Sequence, residues 1–246
     1  MPIHTPHQYS LHPRLDLDEA RAKFAAERRV QLSPFLSDAD ADLLSDHLAE
    51  REDWYLVVNS GPQVVNISPQ QQAALSPQQR EQLEEAVVNG GRHGFQFRYH
   101  SIKVSDAEGE RRGAGDLLND FALWLSSAPV VAALHHITAA RDVCFADAQA
   151  TRYGPGHFLT AHNDSDEVKQ RRVAYVLSLT RDWRAKWGGL LLFHAPDGSI
   201  ERGYVPKFNT LSLFAVPQVH SVSWVTPMAD GVRHSVTGWF RGRAPG

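Results

Sequence analysis

The chain has 246 residues, 42% hydrophobic and 22% charged, which is the composition of a globular protein. A formal charge of −3 and a pI near 6.5 exclude a global basic field for nucleic acid, and no run approaches the roughly 18 apolar residues of a membrane span. The single cysteine, Cys144, excludes an internal disulfide and a thiolate zinc cluster, and it suits a reducing cytoplasm.

Residues 1–16 read as a polar leader without the apolar segment of a signal peptide. His4, His7 and His12 fall in it and are expected on a flexible tail. Residues 17–246 are expected to form a single catalytic domain, with 17–142 as helical support carrying some strands and 143–243 as the core. "DEARAKFAAERR" predicts a helix, followed by a short "VQL". "FLSDADADLLSDHLAERED" predicts a second helix with Ser37 as N-cap and Leu43, Leu44 and Leu48 on one face. "WYLVVN" reads as a strand. "LSPQQREQLEEAVVNGG" carries Ser76 as N-cap, Pro77 at the first position, Gln79 in the capping-box place and a double-glycine stop. "FQFRYHSIKV" alternates as a strand. "DLLNDFALWLSS" and "PVVAALHHITAA" predict two packed helices, with one of His135 and His136 buried and the other exposed.

From Val143 the texture changes to short strands punctuated by Gly, Pro, Asp and Asn. They are "VCFADAQATRY", "HFLTAH", "RVAYVLSLT", "GLLLFH", "ERGYV", "TLSLFAV", "HSVSWV" and "RHSVTGWF". Such a series predicts a mainly β fold, a sandwich or barrel of jelly-roll type, with the preceding helices packed on one sheet.

Within it, "TAHNDSDEVKQRR" sets His162 and Asp164 two residues apart. On a strand they face the same way, as a hydrogen-bonded pair, an acid–base pair or two ligands of one metal. His220, 58 positions later, could lie beside them in an antiparallel jelly roll. Two imidazoles and a carboxylate on one face of a divalent ion is the arrangement of non-haem Fe(II) oxygenases; zinc with a water is the competing ligand set. In "VRHSVTGWF", Arg233, Ser235, Thr237 and Trp239 share one face, and His234, Val236 and Phe240 the other. An inward Arg233 needs an anion, because a bare buried guanidinium costs several kcal/mol. A dicarboxylate cosubstrate would supply it, with the Ser235 hydroxyl helping. An outward Arg233 would pair with a surface carboxylate instead.

"RYGPGHFLTAHND", "RRVAYVLSLTRDW", "WGGLLLF", "PKFNTLSLF", "HSVSWV" and "RHSVTGWF", in that order, resemble the prolyl-4-hydroxylase-like 2-oxoglutarate/Fe(II) dioxygenases, nearest to the ribosomal-protein prolyl hydroxylases. The resemblance runs from about Gln149 to Arg241. It implies a double-stranded β-helix in which His162, Asp164 and His220 hold Fe(II) and Arg233 binds the far carboxylate of 2-oxoglutarate. Tyr153 matches a tyrosine that lines the cosubstrate pocket. Ser178 stands where some relatives carry a pocket-facing tyrosine, with Ala174 and Val176 on the same inner face and Tyr175 on the other. Trp239 would wall the substrate pocket, and "WGG" marks a turn or close backbone approach.

The implied reaction consumes O₂ and 2-oxoglutarate, with ascorbate as an optional reductant, and hydroxylates a substrate C–H, foremost a prolyl residue of a protein. A free amino acid or small metabolite is the alternative substrate. A non-catalytic cupin-like metal-binding protein, or a zinc hydrolase using Asp166 or Glu167, are the alternative classes. The loop Ser165–Arg172 reads as a lid, a substrate contact or a plain solvated loop. No membrane or nucleic-acid partner is expected, and no oligomeric state follows from the sequence.

Overall fold

The computed structural model describes residues 4–166 and 168–242. The first half runs α1 (Leu17–Glu27), β1 (Arg29–Leu32), α2 (Asp38–Glu50), β2 (Tyr55–Ser60), β3 (Gln63–Ile67), α3 (Pro69–Ala74), α4 (Pro77–His93) and β4 (Phe97–Lys103). Three helices follow: α5 (Glu108–Ala114), α6 (Leu117–Leu125) and α7 (Ala128–Thr138). The rest is β5 (Phe145–Ala146), β6 (Gln149–Tyr153), β7 (Phe158–His162), β8 (Arg171–Ser178), β9 (Leu191–His194), β10 (Ile200–Tyr204), β11 (Thr210–Ala215), β12 (His220–Val222) and β13 (Arg233–Arg241). All eight expected strands after Val143 form. The first is split into β5 and β6 around Asp147, whose carboxylate accepts the Trp239 backbone N–H at 2.7 Å.

The strands join in one curled sheet in the order β1-β11-β8-β13-β6-β4-β7-β12-β9-β10, with β2 and β3 branching from β4. Because β4 pairs with both β6 and β7, it carries the sheet round its corner. The result is the expected jelly roll, a double-stranded β-helix with helices on one side. Its main core lies between those helices and the outer face of β11, β8 and β13, where Tyr175, Leu177, Leu213, Val236 and Phe240 meet Leu36, Leu44, Leu48, Phe121 and Leu125. Each fully buried aliphatic or aromatic side chain there contributes roughly 1.5–3 kcal/mol relative to exposure.

Four local expectations are corrected. Residues 4–16 are packed rather than loose. His4 Nε2 lies 3.0 Å from Asp120 Oδ1, His7 Nε2 2.7 Å from Asp40 Oδ1, and the Ser10 N–H donates to Asp40 Oδ2. Tyr9 is buried and donates its hydroxyl to the Leu117 carbonyl at 2.8 Å. In α2 the buried face is Ala41, Leu44 and Leu48, while Leu43 is exposed, since 41, 44 and 48 follow the helical period and 43 does not. The double glycine does not stop α4, which continues to His93. A Cβ on Gly90 would stand 2.0 Å from Gln96 Oε1, so the glycine makes room for a buried glutamine that donates to the Asn59 carbonyl. His135 and His136 are both half-buried, bonded to the Val143 carbonyl and to Asp18. The segments β3, α3 and α5 have no counterpart in the predicted elements; β3 is exposed along nearly its whole length and α3 has no buried residue.

Among the described residues no single helix is long and apolar enough to cross a membrane.

Candidate metal centre

His162 ends β7 and His220 opens β12, and the two are direct cross-strand partners. Their ring centroids are 4.2 Å apart. Each ring is oriented by its own strand: His162 Nδ1 sits 3.0 Å from the Thr160 carbonyl and His220 Nδ1 2.9 Å from the Gln218 carbonyl. A carbonyl only accepts, so the Nδ1 atoms carry the protons and each Nε2 presents a lone pair.

Both Nε2 atoms converge on Asp164. His162 Nε2 is 3.2 Å from Oδ1 and His220 Nε2 is 3.3 Å from Oδ2. One ligand atom from each of the three residues lies within 4.8 Å of the others. Strand alternation is not what brings Asp164 round, however. The strand ends at His162, and Asp164 turns back through a left-handed backbone at φ 61°, a conformation Asp tolerates better than most residues.

Burial alone would raise the Asp164 pKa; the two imidazoles and the nearby Trp239 indole outweigh it, so the carboxyl is held below its usual range. Burial against Phe214 and Phe193 pushes His220 down to about 4. The set is thus one carboxylate and, in His220, a neutral imidazole: the donor chemistry of a divalent cation.

The three residues line a cavity of about 440 Å³ whose walls include Phe95, Tyr99, Tyr153, Arg171, Arg233 and Trp239. Tyr153 stacks on Tyr99, centroids 5.3 Å apart, and the Arg233 guanidinium lies 5.5 Å from the Tyr153 ring centre. Burial raises the Tyr153 pKa far above its ordinary value, so the hydroxyl stays protonated. Phe95, half-exposed at the mouth, leans over His162 at 5.4 Å. Sequence reasoning passed over Phe95 and Tyr99. Their signal was the period-2 run Phe95, Phe97, Tyr99, which reads equally well as core.

Arg233 points inward and is 2% exposed. Its Nη1 donates to the Gly189 carbonyl at 2.8 Å, and its Nε has no hydrogen-bond partner among the described residues. Burial brings its pKa down to about 10. Gly188 and Gly189, the pair in "WGG", lie at φ 72° and 63°. A Cβ on Gly188 would strike the Trp224 carbonyl oxygen at 1.9 Å, so the motif is the close backbone approach expected of it.

Ser235 is fully buried, its hydroxyl without a partner among the described residues, and sits opposite Ser178 in the β13–β8 register. From β8 the cavity wall takes Arg171, Ala174, Tyr175 and Val176; neither Ser178 nor Ser235 is part of it, so a direct contact from either hydroxyl into the cavity is withdrawn. Asp166 accepts the Lys169 N–H at 3.0 Å, and this bond, first among the causes, lowers its pKa. A low-pKa carboxylate tied into a turn suits neither general acid nor base work. Glu167 lies outside the described residues.

Residues 148–241 match the 2OG-Fe(II) oxygenase superfamily. Prolyl 3-hydroxylase OGFOD1 of Xenopus laevis is 35% identical over 134 residues, covering 51% of this chain and 24% of that protein. The Mus musculus protein of the same name is 29% identical over 133 residues, 51% of this chain and 22% of that one. The match thus spans about a quarter of the length of these curated relatives. Among solved structures, a Pseudomonas putida prolyl-4-hydroxylase superposes with a TM-score of 0.58 at 20% identity, covering 93% of this chain and 100% of that one. A prolyl hydroxylase from Trichoplax adhaerens, in complex with a hypoxia inducible factor peptide fragment, gives 0.60 at 13% identity over 92% and 89%. Domain match, triad and fold point the same way: residues 148–241 match the 2OG-Fe(II) oxygenase superfamily and carry a His-Asp-His cluster, and the chain shares the fold of solved prolyl hydroxylases.

Proposed function

We propose that the chain is an Fe(II)- and 2-oxoglutarate-dependent hydroxylase acting on a prolyl residue of a protein. The observation that carries the cosubstrate is Arg233. Each of the other deeply buried arginines has its charge or its N–H groups taken up: Arg29 by Glu201, Arg241 by Asp106, and Arg111 by three backbone carbonyls. Arg233 has one carbonyl and no carboxylate within ion-pair distance among the described residues. A buried guanidinium on the cavity wall with a single carbonyl partner fits the far carboxylate of 2-oxoglutarate.

In this reading His162, Asp164 and His220 hold the ion at the other end of the cavity, with Tyr153 along the wall between. Bound iron with 2-oxoglutarate and O₂ supplies the oxidising chemistry, yielding succinate and CO₂ and placing hydroxyl on the substrate. The protein's own work is to fix both ends of the cosubstrate, keep the imidazoles in the ligating tautomer and line the cavity with aromatic walls. Trp239, half-buried on the wall, offers a flat apolar surface on which a pyrrolidine ring can pack. The curated relatives, named as prolyl 3-hydroxylases, support the prolyl target.

Anaerobic Fe(II) titration with and without 2-oxoglutarate tests the cosubstrate: a visible charge-transfer band should appear only with both. A band with Fe(II) alone, or none with both, removes the reading. For the substrate, enzyme incubated with lysate from a deletion strain should leave one prolyl peptide heavier by an oxygen atom. Modification confined to the small-molecule fraction would replace the protein target by a metabolite.

A further inference from the structure

We propose that Arg171 is a positioning residue of this centre, holding Asp164 in its ligating conformation and Trp239 against the cavity. The inference rests on reading the triad as the iron site. Asp164 lies past the end of β7, so no ladder bond fixes it, and its backbone is left-handed at φ 61°, a strained conformation for most L-residues. Both of its carboxylate oxygens face the histidines. Its carbonyl accepts from Arg171 Nη1 at 3.2 Å, a bond that reaches back from the first residue of β8.

The guanidinium that makes this bond is itself held. Its Cζ stands 3.6 Å from the centre of the Trp239 ring, and the Trp239 backbone N–H is fixed on Asp147. Among the described residues its ion-pair partner is Asp166, 3.9 Å from Nη2 and beyond hydrogen-bond reach, and the buried Nε has no partner among them. Arg171 thus has a long ion pair to Asp166 without a hydrogen bond, while its closer contacts are a metal ligand's carbonyl and the face of the cavity's tryptophan. Its neighbour Arg172 shows the contrast. It turns to the other side of the strand and pairs with Asp142 at 2.7 Å and with Gln170. The charged "RR" is thus divided between the site and the surface.

Lysine can replace one half of this arrangement and not the other. An ammonium can still donate to the Asp164 carbonyl, but it has no plane to lay on the indole. The test uses anaerobic Fe(II) titration of the whole protein bearing Arg171→Gln, Arg171→Lys or Arg172→Gln, with circular dichroism to confirm folding. Arg171→Gln should weaken Fe(II) binding at least about tenfold, the loss usual for groups that orient metal ligands. Arg171→Lys should recover most of the affinity yet shift the visible band formed with 2-oxoglutarate, because Trp239 has lost its stacked partner. Arg172→Gln should match the wild type in both. Wild-type Fe(II) affinity in Arg171→Gln, or equal impairment of the glutamine and lysine variants, overturns the proposal. Should the glutamine variant not fold, the lysine variant decides, and an unshifted band overturns it. A wild type that binds Fe(II) but gives no band counts against the oxygenase reading alone, and the relative iron affinities then decide the role of Arg171.

Discussion

The two ends of β13 each bury an arginine and treat it in opposite ways. At the C-terminal end Arg241 bonds Asp106 at 2.8 Å, sits 3.4 Å from Asp147 and donates to the Lys169 carbonyl. At the N-terminal end Arg233 is more deeply buried and yet meets one carbonyl and the faces of a tyrosine-lined cavity. A strand that compensates one charge fully and leaves the other short of partners has a structural end and, in the proposed reading, a binding end. Burial is the same in kind at both; what separates function from architecture is whether the protein supplies the counter-charge.

The comparison can be pressed hardest at the triad beyond the binding end. His162→Ala or Asp164→Ala should abolish 2-oxoglutarate turnover with the fold retained, and wild-type-like succinate release by either variant would remove the metal assignment. Next, Arg233→Ala should raise the 2-oxoglutarate requirement at least tenfold, in line with about 2–5 kcal/mol for losing a buried charge-assisted pair, with iron affinity little changed. Equal 2-oxoglutarate affinity in mutant and wild type would move the anchor elsewhere; Lys207 is exposed and Arg241 already paired. At the structural end the roles reverse. Arg241→Met should lower stability by about 2 kcal/mol and leave the 2-oxoglutarate requirement alone, so a Km shift without a change in denaturation midpoint would break the contrast.

The smallest effect concerns acid. His234, the residue after Arg233, stacks on Trp54 and is brought by burial, then by Arg152, from 6.5 to about 4. A native pKa below the unfolded one means that, as pH falls through 6.5, the unfolded chain binds a proton the native protein refuses. Stability is therefore fully present above about pH 6.5 and declines toward pH 4. His234→Phe should lessen the slope of the urea midpoint across that window, the remainder coming from His100, His157 and His220, which burial depresses in the same way, and an unchanged slope would remove His234 from the set.

The strands of the second half and the triad were legible because alternation, turn residues and an ordered set of motifs point the same way. Arg233 was half legible. Period 2 gave its face, but only the three-dimensional neighbourhood shows that no carboxylate of the described residues meets it. The route of Asp164 was not legible, because His-x-Asp reads the same on a strand as on a strand followed by a left-handed turn. Nor was the docking of residues 4–16, whose partners Asp40 and Asp120 lie on α2 and α6, far away in sequence. The Gly90-Gly91 pair misled for a related reason. A glycine signals a helix end only when nothing packs against it, and here Gln96 does.

The facing of His162 and His220 across β7 and β12 has a consequence for chain entropy. The contact joins positions 58 residues apart through a strand of three residues. An ion gripped at both sides closes that long loop as a covalent staple would, and because the unfolded chain lacks the site, the binding energy becomes folding energy. At a free-ion concentration about a hundred times Kd, this amounts to about 2.7 kcal/mol. Amides of β12 should then exchange with solvent markedly more slowly when metal is present, which makes this short strand a gauge of site occupancy independent of any turnover.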